Sequence, residues 1–234
     1  MSELIKWLKA FNAKERYFLL AYVQDQDALQ LGPFFRGQLS QKLGVMVPKD
    51  AFVAMDYHLD WLYAALHVAV YGPEGSGPGG SHENVLEKVA GEQKQKRMIQ
   101  GQQEDADLLI AFDLDGVTHL ILIEAKGVTS WGNTQMRSKA LRLKQIFHDD
   151  GGRWENVKPY FLMNSPTEPP YRHDGKTKGI VLKGYPKWML AENGKLSFLP
   201  MTNLHRESLK RVTRTEKSDA EGKEEWKKWK ITSR

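Results

Sequence analysis

The sequence predicts a mixed α/β (α+β) protein with an N-terminal helical region. Apolar residues up to about position 71 recur with helical spacing, whereas residues 81–165 read in order as helix, strand, strand, helix and strand. Between them, "GPEGSGPGG" holds five Gly and two Pro, a composition that excludes a regular element. The expected divisions are a helical region (1–71), a loop or linker (72–80), an α/β core (81–202) and a basic tail or helix (203–234).

Four helices are expected in the N-terminal region. The first, in "SELIKWLKAF", begins at Ser2, whose side chain can cap it. The next two follow in "AKERYFLLAYVQDQ" and "FFRGQLSQKLGV". The fourth is expected to run through "DAFVAMDYHLDWLYAALHVAVY" from a start near Asp50.

The core is expected to contain a β-hairpin. Two apolar runs are joined by "DLDG", and Asp115-Gly116 is a strong signal for a tight turn between paired strands. The predicted core elements are a polar helix (81–100), two strands (about 107–113 and 117–125), a helix (133–150), a strand (157–165), another strand within 178–190 and a short edge strand in "KLSFLPM".

Composition limits the classes of function. The absence of cysteine excludes disulfides, thiolate metal sites and cysteine nucleophiles. The sequence shows neither a signal-peptide pattern nor an apolar stretch long enough to span a bilayer, so we expect a cytoplasmic protein without a membrane partner. The net charge is +5, and residues 203–234 hold ten Lys/Arg against six Asp/Glu. A polyanionic partner would therefore contact a local patch.

The stretch "EDADLLIAFDLDGVTHLILIEAKG" contains the strongest candidates for a site. Residues two apart on a strand share a face, so Glu124 and Lys126 point the same way. Pairing through the hairpin would bring Asp107 level with Glu124. Glu104 and Asp105 are rival carboxylates, but Asp107 leads directly into the apolar run. Two converging carboxylates beside one lysine are predicted.

Metal-assisted phosphodiester hydrolysis uses this trio of side chains. Asp107 and Glu124, with the backbone carbonyl of Ala125, would hold Mg²⁺, and Mn²⁺ is a possible substitute. The ion would polarise the scissile phosphate and lower the pKa of a bound water. Lys126 would position that water or stabilise negative charge on the phosphate.

These residues resemble the motif of the PD-(D/E)xK (restriction endonuclease-like) nuclease superfamily. In that motif an Asp begins an apolar strand, a second strand ends in Glu-x-Lys, and a helix follows, as Asp107, Glu124 and Lys126 would provide. Gln135 matches a Gln that several branches carry near the start of that helix, where it would orient substrate or water. The resemblance covers about residues 81–165, and Ala106 stands where the motif often has proline.

The resemblance implies a fold and a partner. The expected fold is a restriction-endonuclease-like core with a central mixed sheet flanked by helices. The expected activity is that of a magnesium-dependent nuclease, with DNA as the expected substrate. A homodimer would suit the cutting of both strands, but no residue indicates one.

Two alternatives remain open. "LLIAFDLDGVT" resembles the opening motif of haloacid dehalogenase-like phosphatases, with Asp113 as nucleophile and Asp115 as general acid. Against it, 112 residues precede Asp113, and a helix rather than a strand leads to the acidic pair in "HDDGG". The second alternative is a nucleic-acid-binding module without turnover.

The basic C-terminal segment is a candidate contact for nucleic acid. Trp226 and Trp229, among lysines, could stack on bases. An amphipathic tail whose tryptophans dock on the protein itself is the competing interpretation. The candidate phosphate contacts are Arg206, Lys210, Arg211 and Arg214.

Overall fold

A computed structural model shows a mixed α/β protein with a five-stranded sheet flanked by helices. It describes residues 1–72, 81–88, 95–101, 104–127, 131–171, 179–204, 209–220 and 223–233. The predicted linker lies outside these ranges except for Gly72. None of the helices in the described ranges has the length and apolar character needed to cross a membrane.

The helices are α1 (Glu3–Phe11), α2 (Glu15–Val23), α3 (Pro33–Leu43), α4 (Leu59–Tyr71) and α5 (Asn133–Phe147), with a 3-10 turn at Lys187–Met189. The strands are β1 (Phe52–His58), β2 (Leu86–Lys88), β3 (Gln95–Arg97), β4 (Asp105–Leu114), β5 (Val117–Ala125), β6 (Val157–Ser165), β7 (Ser197–Pro200), β8 (Lys210–Ala220) and β9 (Lys223–Ser233). The predicted helix at 133–150 and the strands at 107–113, 117–125, 157–165 and "KLSFLPM" are thereby confirmed.

The central sheet has the strand order β1-β4-β5-β6-β7, so its strands stand side by side in the order of the sequence. The pairs β1–β4 and β4–β5 are antiparallel, whereas β5–β6 and β6–β7 are parallel. As the middle strand, β5 is buried from Thr118 to Glu124. Burial on both faces explains why this strand reads as one continuous apolar run.

Helices cover both faces of the sheet. Side chains alternate along each strand, so Leu120 and Leu122 of β5 pack with helical residues on one face, including Met136 of α5. Ile121 of β5 faces the other way and packs in the cluster that contains Leu39 of α3. By the same alternation, the side chain of residue 124 belongs to the face covered by α5.

The β4–β5 hairpin turns where the sequence predicts. Asp115 and Gly116 both have positive φ, at 50° and 78°, as a two-residue type I′ turn requires. The ladder pairs Leu114 with Val117 at the turn and continues to Leu108 with Ile123. One step further along this register, residue 107 lies opposite residue 124.

The helix predicted from Asp50 is wrong at its start. Residues Phe52–His58 form β1, and the helix begins only at Leu59. The segment is short and apolar, so periodicity alone does not distinguish a strand from a buried helix. Pairing of β1 with β4 decides the conformation, and the N-terminal region thus contributes an edge strand to the central sheet.

Three other sequence predictions are also wrong in part. In the described parts of the predicted polar helix at 81–100, which are residues 81–88 and 95–100, the short antiparallel strands β2 and β3 form instead. The strand predicted within 178–190 does not form in the described part, residues 179–190, where isolated bridges and a 3-10 turn form because Gly184 (φ 89°) and Pro186 interrupt a strand. The C-terminal segment forms strands β8 and β9 rather than a helix.

Candidate active site

The register of the hairpin brings Asp107 and Glu124 together at its open end. The Ala125 backbone N–H donates a hydrogen bond to Asp107 Oδ2 at 2.6 Å. This bond ties the Asp107 carboxylate to the end of β5. The structure therefore joins Asp107, Glu124 and Ala125 in one place, with the Ala125 carbonyl at the same strand end.

Glu124 is the most deeply buried charged residue of this group. Its side chain is 1% exposed, and Lys126 Nζ donates to its Oε1 at 2.7 Å. Its second oxygen, Oε2, is ion-paired with Lys139 Nζ. A buried carboxylate is tolerated when it is paired and hydrogen-bonded, and here two ammonium groups satisfy it.

Lys139 is a site residue that the sequence analysis missed. It lies on α5, is 4% exposed, and also donates to the backbone carbonyl of Asp105 at 2.5 Å. The signal was present, because Met136, Lys139, Ala140 and Leu143 follow the i, i+3, i+4, i+7 spacing of a buried stripe. A lysine on such a stripe is rarely buried without a partner.

A pocket of about 380 Å³ opens beside Asp107 and Lys139, whereas Glu124 and Lys126 are not among the residues that line it. Gln135 lines it together with Asp107, so the third element of the predicted site, the start of α5, faces the same pocket. The pocket wall contains four carboxylates and one lysine. The lining residues are Asp56, Glu104, Asp105, Asp107, Gln135, Ser138 and Lys139.

Burial perturbs the pKa of two carboxyl groups of the pocket. Burial raises the pKa of Asp107, and the neighbouring Glu124 charge raises it further against the hydrogen bond from Ala125. Burial also raises the pKa of Glu104, although a hydrogen bond from Ser138 opposes this shift. A bound cation would favour the ionised form of both groups.

The donors fit magnesium in kind, since Asp107, Glu124 and the Ala125 carbonyl all offer hard oxygen ligands. Both Glu124 oxygens are engaged by lysines, so a cation at Glu124 would have to take over from one ammonium group. Within the ranges that the structure describes, no three His, Cys, Asp or Glu side chains are placed to hold a metal ion. The candidate ligand set thus comprises two carboxylates and one carbonyl.

Asp113 and Asp115 lie at the opposite end of the hairpin. Asp113 Oδ2 accepts a hydrogen bond from the Ser2 backbone N–H at 2.6 Å, and its Oδ1 accepts one from the Thr118 hydroxyl at 2.8 Å. Asp115 occupies the first position of the turn. These contacts attach the start of the chain to the sheet, and they favour the turn interpretation over the phosphatase alternative.

Asp113→Asn is expected to lower the free energy of unfolding by about 1 kcal/mol at pH 7, because two charge-assisted hydrogen bonds weaken. Burial alone would raise the pKa of Asp113, but the hydrogen bonds from Ser2 and Thr118 outweigh it and lower the pKa. A lowered pKa stabilises the fold above the unfolded value near 4, and this stability is lost as pH falls through the folded value. Urea titrations from pH 7 towards 3 should show the difference between variant and wild type shrinking. A difference independent of pH would contradict the assignment.

The candidate phosphate contacts lie on a different element. Lys210, Arg211 and Arg214 are exposed on β8, and Trp229 is exposed on β9. Arg206 lies outside the described residues. These side chains belong to a sheet that is separate from the one carrying the pocket.

Comparison with known proteins gives no family for this chain. Searches against protein-family models, curated proteins and solved structures found no match. The functional proposal therefore depends on the residues and geometry of the site.

Proposed function

We propose that the protein is a metal-dependent nuclease that hydrolyses phosphodiester bonds, with DNA as its substrate. The observation that supports this most is the meeting of Asp107 and Glu124 across paired strands, with Lys126 Nζ 2.7 Å from Glu124 Oε1. Metal-assisted hydrolysis of a phosphodiester needs oxygen ligands for a cation and a positive group near the phosphate. On this proposal, the sheet and its helices form a restriction-endonuclease-like core.

The charge of the pocket supports a cation as part of the site. Asp56 and Asp105 are paired with Arg16 and Lys14, so Glu104 and Asp107 are the carboxylates that would repel a phosphodiester in this partly buried space. Mg²⁺ held by Asp107, Glu124 and the Ala125 carbonyl would offset this repulsion. When bound, the ion would polarise the phosphate and lower the pKa of a bound water.

The two lysines differ in what they can do. Lys139 is held by both Glu124 and the backbone carbonyl of Asp105, which suits a residue that positions the carboxylate. The Lys126 side chain is 13% exposed, against 5% for Lys139, and its Nζ lies 5.9 Å from the Trp131 ring centroid. Lys126 is therefore the group that we assign to the attacking water or the phosphate.

Gln135 completes the assignment. It is exposed at the start of α5 and lines the pocket together with Asp107. An amide can donate and accept a hydrogen bond at the same time, so it can hold a water against a phosphate oxygen. We assign Gln135 to the orientation of substrate or water.

Asp107→Asn is expected to lower metal-dependent cleavage by about 100-fold, because a neutral amide is a far weaker magnesium ligand than a carboxylate. The measurement is the rate at which supercoiled plasmid is nicked or linearised with Mg²⁺ or Mn²⁺. Chelation with EDTA should abolish cleavage by the wild type. Asp113→Asn, a matched change at the far end of the hairpin, should cut at the wild-type rate. Undiminished cleavage by Asp107→Asn would reject this carboxylate as a ligand.

A second candidate is a nucleic-acid-binding module without turnover. The observation that favours it is the pairing of both Glu124 oxygens with lysines, which competes with a metal for the same carboxylate. The plasmid assay separates the two functions when it is combined with a binding measurement. Binding of DNA without cleavage in any of several divalent metals would favour the module.

A further inference from the structure

Strands β8 and β9 form a two-stranded antiparallel ribbon of their own. Each strand is 11 residues long, and in the portion of the chain that the structure describes, no third strand joins them. An isolated two-stranded ribbon is at best marginally stable in water. Binding to another surface would therefore stabilise this ribbon.

One end of the ribbon is strongly positive. We call residues 210–215 and 228–233 the basic end, because these segments contain no Asp or Glu. Six residues of strand extend over about 20 Å, so the positive charges are concentrated in a short length. The basic residues, all exposed, are Lys210, Arg211, Arg214, Lys228 and Lys230.

The two faces of the basic end differ in chemistry. On one face, the cross-strand pairs Arg211–Thr232 and Thr213–Lys230 present hydrogen-bonding side chains. Two further pairs, Val212–Ile231 and Arg214–Trp229, occupy the other face. Val212, Ile231 and Trp229 are 67%, 61% and 64% exposed. The Arg211–Lys230 face is therefore the one whose chemistry suits a polyanion.

We propose that the basic end of the ribbon binds double-stranded DNA by entering the major groove with its Arg211–Lys230 face. This inference rests on the proposed function, which gives DNA as the substrate. It identifies the ribbon as the element that binds that DNA. The major groove of B-form DNA is about 12 Å wide and admits a two-stranded ribbon. The major groove of A-form RNA is too narrow for side chains to read, so the geometry favours DNA.

Charge and hydrogen bonding both support this docking. Arg211 and Lys230, exposed on the docking face, would meet the phosphates at the groove, where each contact releases counterions. Thr213, Thr232, Arg211 and Lys230 can donate to base edges or phosphate oxygens. The ribbon would thus supply the positive surface that the acidic pocket lacks.

The test is the binding of a fluorescent duplex of about 25 base pairs, followed by anisotropy in EDTA so that no cleavage occurs. Arg211→Ala with Lys230→Ala removes two cations from the proposed binding face. We expect its Kd to rise at least about tenfold near 100 mM salt. The slope of log Kd against log salt should fall by about 1.8, the value for two phosphate contacts.

A matched control removes the same charge elsewhere. Lys42→Ala with Lys49→Ala changes two exposed lysines in and after α3, outside the ribbon, and should shift Kd less than about twofold. All altered residues are on the surface, and circular dichroism should show unchanged folding. A single strand of the same sequence should bind more weakly than the duplex.

Three results would overturn the inference. They are wild-type affinity in the ribbon variant, preference of the wild-type protein for the single strand, and no salt-dependent binding of duplex by the wild type. Because binding is measured without turnover, failure of the nuclease proposal is seen separately. In that case the duplex still binds through the ribbon, but no divalent metal supports cleavage.

Discussion

Lys126→Ala is expected to lower the rate of plasmid cleavage by about 100- to 1,000-fold. The ammonium group lies 2.7 Å from Glu124 Oε1, so it is placed beside a proposed metal ligand. There it would stabilise negative charge that develops on the phosphate. Affinity for duplex DNA should stay near the wild-type value, because a group that acts in the transition state contributes little to ground-state binding. Single-turnover cleavage of a labelled duplex, with Kd measured in parallel, tests both expectations.

The matched control is Lys144→Ala, which removes another lysine of the region. Lys144 lies on α5 and pairs with Asp149, away from the pocket lining, so its loss should leave the rate unchanged. A fall of less than tenfold in Lys126→Ala would contradict the assigned role. If Lys139→Met abolishes cleavage and Lys126→Ala does not, Lys139 is the group that serves the phosphate.

Glu124→Gln is expected to destabilise the metal-free protein by about 3 to 5 kcal/mol. The change leaves Lys126 and Lys139 beside a neutral amide, with only 13% and 5% of their side chains exposed. Charges that lose their partner in a buried position keep the cost of desolvation without the attraction that offset it. Urea denaturation in EDTA gives the free energy of unfolding for variant and wild type.

Two further variants show whether the lost charge pair is the cause. Glu155→Gln makes the same chemical change at an exposed residue and should alter stability by less than about 0.5 kcal/mol. Adding Lys139→Met to Glu124→Gln should recover part of the loss, because it removes one unpaired buried charge. A loss below about 1 kcal/mol in Glu124→Gln, or no recovery in the double variant, would contradict the buried triad.

Local patterns were sufficient to predict the elements that carry the carboxylates. The turn residues Asp115-Gly116 fixed the hairpin, and the two-residue period of the strands fixed the faces. From these two facts follows the placement of Asp107 opposite Glu124, with Lys126 on the same face. The helix α5 was also predictable, since its buried stripe is regular over 15 residues.

Non-local contacts were not predictable in the same way. The segment Phe52–His58 becomes a strand because it pairs with the edge of β4. The residues of the segment itself do not indicate which strand it pairs with. Lys139 was missed for a related reason. The spacing of α5 places Lys139 on its buried stripe, but the pairing with Glu124 depends on where α5 lies over the sheet, and a helical pattern does not give that position.

The strand order of the central sheet has a consequence for how the chain is assembled during synthesis. Because β1, β4, β5, β6 and β7 stand in the order in which they are made, each strand can join the edge left by the one before it. At a synthesis rate of about 5–20 residues per second, Asp105 is added a few seconds after His58. Strand β1 therefore has no β4 to pair with during that time. Once β5 has been made, the chain contains every strand of the antiparallel part of the sheet, in which Asp107 lies opposite Glu124. Strands β6 and β7 then add beyond β5, on the side away from β4.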